Sequence, residues 1–380
     1  MNTKLGSFWV MLCLVSLATT LSCRADPGVT SNAILVGQSA ALSGPAQELG
    51  IALRDGAKAY FDYINANGGV QGRKIIFTTL DDGYEPARAA ANTKQLIEQD
   101  SVFALFGYVG TPTSIASIPA VEQANIPFFA PFTGAQSLRE PFNRNIFHIR
   151  ASYFEETESI VNSLTQSGVT KIAVLYQNDA YGAAGLEGVT RALKKHNLAL
   201  AGSATVERNT VDVGAAVTKI KASGPGAVIL VAAYKSVAAF IVEMRKQNAN
   251  PFFWNISFVG SQTLVRELGS NAKGVMVSQV MPAPWDDVNP VVKEYMKLYV
   301  QGGKHPFDYV SIEGFVAAKV FVEGLRHSGQ PPTREGLIKS LESMKNYDAG
   351  GFFVKFGPNH HTGSDYVDLT IISSDGRFVH

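Results

Sequence analysis

The chain has 380 residues, 46% hydrophobic and 17% charged, with 33 basic and 32 acidic side chains. Such a composition excludes a disordered chain, and balanced charge without a basic tail or patch argues against a nucleic-acid partner. Only two cysteines occur, Cys13 and Cys23, which excludes a disulfide scaffold and cysteine-based metal or thiol chemistry in the rest of the chain.

The first 25 residues read as a secretory signal peptide. Lys4 is followed by an apolar run over 8–18 and then by small and polar residues up to Pro27-Gly28, the three-part plan of an export signal. The run falls short of the roughly 20 residues that span a bilayer. Cleavage after Ala25 would release a free periplasmic protein. Thr20-Leu21-Ser22-Cys23 also resembles a lipoprotein box, which would place a lipid anchor on Cys23. Beyond this segment no stretch is long and apolar enough to cross a membrane.

The length predicts two domains, and the body alternates strands with helices. Ile34–Gly37 reads as a strand, and Leu49, Leu53, Ala57, Tyr60 and Ile64 form one apolar helix face. Asn67-Gly68-Gly69 stops that helix. Strands follow over 74–80, 102–106 and 126–130, with helices from Pro86 to Gln99 and Pro112 to Gln123. The pattern restarts near residue 150. Helices over 155–166, 182–196, 212–222 and 235–247 alternate with strands over 171–176, 200–206, 227–231, 252–258 and 274–279. Residues 290–343 are mostly helical, and strands near 351–356 and 366–373 close the chain. Two such series predict two doubly wound, mostly parallel sheets with helices on both faces.

In open α/β sheets ligands bind beyond the carboxyl ends of strands, where helix N-termini offer free N–H groups. The strongest signal is Gly107-Tyr108-Val109-Gly110-Thr111-Pro112. Thr111 fits a helix N-cap and Pro112 a first helical position. With the helix N-terminus, the Thr111 hydroxyl could hold a carboxylate; plain capping is the alternative. Loops at Leu42-Ser43-Gly44-Pro45 and Pro131-Phe132-Thr133-Gly134 carry further hydroxyls and backbone donors, and each could equally be a turn. In the second half Tyr181 and Tyr234 follow adjacent strands, as a ligand wall would require; simple packing is the alternative. Enzyme signatures are weak: neither G-x-G-x-x-G, a Walker A lysine motif nor G-x-S-x-G occurs. Asp81-Asp82 reads as a solvated turn, and His360-His361 as surface without metal-ligand spacing. Asn255-Ile256-Ser257 is formally a glycosylation acceptor, inside an expected strand.

Taken together these residues resemble the type I periplasmic binding proteins of ABC transporters, in the leucine/isoleucine/valine-binding group. The segments that carry the likeness are Ile34–Gly37 through Leu42–Pro45, Ile64–Lys74 and Asp81–Pro86. Ser257–Ser261 and Val280–Asp286 are similar to a less characterised branch. Each motif alone is weak, and their order is specific. The resemblance implies two doubly wound αβ lobes joined by three crossovers, closing like a flytrap. Lobe 1 would be 32–150 plus 282–349, and lobe 2 would be 151–281 plus 350–380. Thr111 would match the hydroxyl that binds the ligand's α-carboxylate, completed by Phe132 and Gly134. Tyr181 and Tyr234 would be the second lobe's aromatic positions. Ser257 falls where amino-acid-binding relatives carry an acid for the ammonium group, so the ligand is either an amino acid with Asp179 or another acid substituting, or a carboxylate without an amine.

The expected function is an exported, monomeric, cofactor-free solute receptor. Ser43, Thr111, Phe132, Thr133, Gly134, Tyr181, Tyr234 and Ser257 are its expected ligand-binding residues, with no catalytic or metal residue, and its partner is an ABC permease in the inner membrane. A periplasmic sensor for a membrane signalling partner is the alternative, and an exported α/β enzyme a third.

Overall fold

The computed structural model describes residues 26–302 and 306–380. The expected signal peptide, with Cys13 and Cys23, lies outside the described residues. Among the described residues no helix is long and apolar enough to cross a membrane.

The first sheet contains β1 (Ala33–Ala40), β2 (Lys74–Asp81), β3 (Ala104–Phe106), β4 (Phe128–Phe129) and β5 (Ile146–Phe147), in the order β2-β1-β3-β4-β5. Every neighbouring pair is parallel. The central strand β3 is buried at every residue, which is why Ala-Leu-Phe shows no polar alternation. Its connecting helices are α1 (Gln47–Ala66), α2 (Pro86–Glu98) and α3 (Thr111–Ala124).

The second layer opens with α4 (Tyr153–Gln166) and continues β6 (Ile172–Gln177), α5 (Ala180–Lys195), β7 (Gly202–Val206), α6 (Gly214–Ala222) and β8 (Ala227–Val231). Then come α7 (Tyr234–Lys246), β9 (Phe252–Asn255), α8 (Ser261–Leu268) and β10 (Met276–Gln279). The chain returns to the first layer through α9 (Pro290–Gly302), α10 (Tyr309–Arg326) and α11 (Arg334–Glu342), and a short hairpin follows, β11 (Tyr347–Asp348) with β12 (Phe353–Val354). Finally β13 (Asp368–Ile372) and β14 (Phe378–Val379) join the second sheet antiparallel, giving β14-β13-β10-β9-β8-β6-β7.

Helix α10 is apolar nearly all round and buried, as a helix enclosed on several sides should be. It crosses α1 at backbone contact. A Cβ on Gly56 would lie 1.8 Å from the Ser311 carbonyl oxygen, and one on Gly314 would lie 2.1 Å from that of Leu53. The chain passes between the two layers three times. The first and third passages are bonded side by side: His148 N–H donates to His361 O at 2.8 Å and Gly363 N–H to His148 O at 2.7 Å. His361 is therefore not at the surface as expected. It is buried and stacks on Phe147 with centroids 3.6 Å apart, and burial lowers its pKa to about 4.

Candidate functional site

Both sheets reverse their strand order at one point, between β1 and β3 in the first and between β6 and β8 in the second. Such a switch point opens a crevice at the carboxyl ends of the strands. The loops that leave these four strands carry Ser43, Thr111, Tyr181 and Tyr234, and those after β4 and β9 carry Phe132, Thr133, Gly134 and Ser257; hydrogen bonds from Glu48 to Tyr234 and from Gln177 to Tyr84 set the two crevices against each other.

On the first lobe the expected hydroxyls meet. Thr111 is buried, and its Oγ lies 2.6 Å from that of Thr133. The N-cap of α3 is Gly110, at φ 102, and no side chain caps the helix. The expected capping role of Thr111 is thus corrected: the helix starts one residue earlier, and the hydroxyl is turned to Thr133. Thr133 Oγ also accepts the Ala135 N–H at 3.2 Å. Phe132 is fixed by backbone bonds, its N–H to Tyr108 O at 2.7 Å and its O from Gly110 N–H at 3.2 Å. Gly134 O accepts the Tyr153 N–H at 2.7 Å, and a Cβ on Gly134 would meet the Tyr153 ring at 2.4 Å. Ser43 stands apart. It is exposed, and its hydroxyl donates to Asp81 Oδ2 at 2.6 Å.

The second lobe supplies rings. Phe258, in the turn Ser257–Val259 after β9, lies 4.5 Å from Tyr181, 5.3 Å from Phe132 and 6.0 Å from Tyr84, centroid to centroid. Tyr181 packs 5.6 Å from Tyr153. Burial holds the Tyr84 and Tyr181 hydroxyls far above the usual phenol range and raises Tyr153 and Tyr234 to about 12, so these phenols are neutral. Tyr234 reaches the opposite rim, where its hydroxyl accepts the Glu48 N–H at 3.4 Å. Further bonds join the lobes: Gln177 Nε2 donates to the Tyr84 hydroxyl at 3.2 Å, Arg208 pairs with Glu85 at 2.8 Å, and Arg266 with Glu48 at 3.2 Å.

A buried charged cluster beside the rings was invisible in the sequence. Arg150 sits in the first passage between lobes, 1% exposed, with its guanidinium 4.3 Å over the Phe132 ring. Its Nε lies 3.1 Å from Glu313 Oε1, and its Nη2 donates to Glu313 Oε2 at 3.2 Å and to Ser257 Oγ at 2.8 Å. Ser257 donates its N–H and hydroxyl to Glu156, at 2.7 and 3.0 Å, and Ser278 Oγ donates to the same carboxylate at 2.6 Å. A reciprocal capping box between Ser152 and Glu155 starts α4 directly after Arg150, which sets Glu156 in the first turn. Burial raises Glu156, against the pull of Arg150, and raises Glu313 to about 7. Burial disfavours the Arg150 charge, but Glu313 and Glu156 outweigh it and its pKa lies above the usual value. These partners are over 100 residues apart in sequence, so no local motif links them.

Other expectations change. Asp82 is not solvated: it is buried, accepts Ser39 Oγ–H at 2.7 Å and Tyr84 N–H at 2.8 Å, and burial raises its pKa to about 6. Asp179 caps α5 through the N–H groups of Tyr181 and Gly182 and pairs with Arg208 at 3.3 Å, so it is not a free acid. Asn255 is buried and donates to Met276 O, which excludes it as a glycosylation acceptor in the folded chain. Among the described residues no cluster of metal-ligating side chains is present.

Residues 33–377 match the family described as periplasmic binding protein. A solved structure of a possible leucine/isoleucine/valine-binding protein from Rhodopirellula baltica SH 1 is 35% identical, with a TM-score of 0.88 over 92% of this chain and 96% of that one. A substrate-binding periplasmic protein from Ralstonia solanacearum is also 35% identical, with a TM-score of 0.87 over 91% and 99%. The curated Leu/Ile/Val-binding protein homolog 7 of Brucella abortus (strain 2308) is 24% identical over 361 residues, 89% of this chain and 88% of its own.

Proposed function

Because the chain belongs to the periplasmic binding protein family, we propose that it is an exported receptor that captures a small organic carboxylate between its lobes and delivers it to an ABC permease. One observation carries this reading: the strand-end loops of the two lobes meet, with Phe132, next to the Thr111–Thr133 hydroxyl pair, packed 5.3 Å from Phe258, which in turn lies 4.5 Å from Tyr181. Hydroxyls at a helix N-terminus suit an anion, and rings suit an apolar body. The moving bodies in this reading are 32–150 with 282–349, and 151–281 with 350–380. The protein works as a binding protein rather than an enzyme, in the periplasm, as a monomer.

Closure follows from bridging. A ligand held by both lobes binds the closed state better than the open one and shifts the population toward it by that difference. The fold itself does not choose the ligand. A Thermus thermophilus branched chain amino acid ABC transporter structure holds valine and an ABC transporter solute binding protein from R. palustris holds benzoate, at 18% and 19% identity to this chain.

Calorimetry of the purified chain with small carboxylates, combined with X-ray scattering, tests the reading. One-to-one binding with a smaller radius of gyration is expected. Binding without compaction, or chemical turnover of the ligand, would overturn it.

A further inference from the structure

Counting free donors and acceptors in the cleft narrows the ligand. Each acid that borders the cleft among the described residues already has partners. Glu156 accepts three hydrogen bonds from Ser257 and Ser278. Glu313 is taken by Arg150, and Asp179 by its helix cap and Arg208. Asp82 is held by Ser39 and Tyr84, and the rim acids Glu48 and Glu85 by Arg266 and Arg208. An ammonium group would have to share a carboxylate that is already paired or hydrogen-bonded, and a poorly compensated buried charge is costly.

The free groups are donors. Arg150 Nη1 has no hydrogen-bond partner although the residue is 1% exposed. The buried Tyr181 hydroxyl also has none. Between Thr111 and Thr133 one shared contact uses one hydroxyl proton and leaves the other. Arg150 lines a water-sized cavity of about 10 Å³ together with Phe132, Ser257, Gln279, Tyr309 and Glu313. That cavity adjoins the expected site, since Phe132 and Ser257 belong to both and Arg150 touches each of them.

We propose that Arg150 determines specificity: the cleft takes a carboxylate that carries no amine and presents a second hydrogen-bond acceptor, such as an oxo group, to the Arg150 guanidinium. This deepens the receptor reading and rests on it. The Thr111–Thr133 pair takes one acceptor group, Arg150 the other, and the rings of Phe132, Phe258 and Tyr181 enclose an apolar or aromatic body. A buried guanidinium repels an ammonium and forms charge-assisted bonds to oxygen.

Calorimetry with two matched pairs tests it: phenylpyruvate against phenylalanine, and 4-methyl-2-oxopentanoate against leucine. The oxo acid of at least one pair is expected to bind at least about tenfold more tightly than its amino acid, the worth of one charge-assisted bond gained. Removing Arg150 alone would leave Glu313 and Glu156 facing each other, so the variant is the double change Arg150→Met with Glu313→Gln. It should lose at least about tenfold in oxo-acid affinity. Glu313→Gln alone keeps the guanidinium, so the double variant should lose at least about tenfold more oxo-acid affinity than Glu313→Gln does. An amino acid binding as tightly as its oxo acid overturns the proposal, as does a double variant with unchanged oxo-acid affinity, or equal losses in the double variant and Glu313→Gln. Binding by neither pair also overturns it, whereas the receptor reading stands if another carboxylate binds without turnover and closes the lobes.

Discussion

At the residue scale, the site divides into what a local motif reveals and what only folding assembles. Thr111, Phe132, Thr133 and Gly134 lie in loops directly after strands, where glycines, short hydroxyls and a proline mark a helix start. Arg150, Glu156 and Glu313 carry no such mark. Each is an ordinary charged residue until the fold buries it, and the pairing becomes visible only with three-dimensional neighbours. Asp82 misled for a related reason: Asp-Asp-Gly is turn chemistry, yet the turn is enclosed by Tyr84 and Ser39. Its raised pKa has a consequence for stability. Between pH 4 and 6 the folded chain keeps a proton on Asp82 that the unfolded chain has released, so raising the pH across that window works against folding. Asp308, raised by burial to about 6, and Glu313, raised to about 7, add to the same decline. The buried His148 and His361, held below the usual imidazole value, act in the opposite sense over the same window, so the test is the difference: in denaturant melts between pH 4 and 6, Asp82→Asn should lose less stability, or gain more, with rising pH than the wild type. An unchanged slope in that variant would mean that Asp82 is ionised in the folded chain at pH 5.

At the element scale, the long periodic segments were legible because burial imposes a period. The α1 face at Leu49, Leu53, Ala57, Tyr60 and Ile64 is buried as expected. Two-residue strands such as β5, β11 and β14 have no period to detect, and neither β5 nor α8 was expected. The expected strand over 252–258 stops at Asn255 and turns at Ser257, a break that aims Phe258 into the cleft. The α1–α10 crossing was hidden too, since a glycine in each helix reads as a weakness unless the partner is known. Ala at Gly314 would press on the Leu53 carbonyl, so Gly314→Ala should cost at least about 2 kcal/mol in a denaturant melt. A neutral result would mean that the two helices can separate without loss.

At the scale of the whole molecule, the alternation of strands and helices revealed two sheets, while the return of α9–α11 to the first lobe came only from resemblance. That return gives the chain three passages between lobes, which would serve as the hinge in the proposed closure. Between the lobes, Arg208 ties Glu85 to Asp179. A partly exposed pair is worth up to about 1 kcal/mol. Arg208→Gln should therefore speed ligand release by about two- to fivefold with little change in association, and less so at high salt, in stopped-flow measurements. An effect confined to association would place the pair in encounter rather than in holding the closed state.

The central claim is that a small carboxylate is held in the cleft by the Thr111–Thr133 pair. Thermal melting of the wild type and of Thr111→Ala, against one panel of small carboxylates, tests it most directly. At least one carboxylate should raise the wild-type melting temperature. The variant, with a similar melting temperature alone, should need at least about tenfold more of that carboxylate for the same rise. A rise of equal size at equal concentration in both proteins, or no rise with any carboxylate, would contradict it.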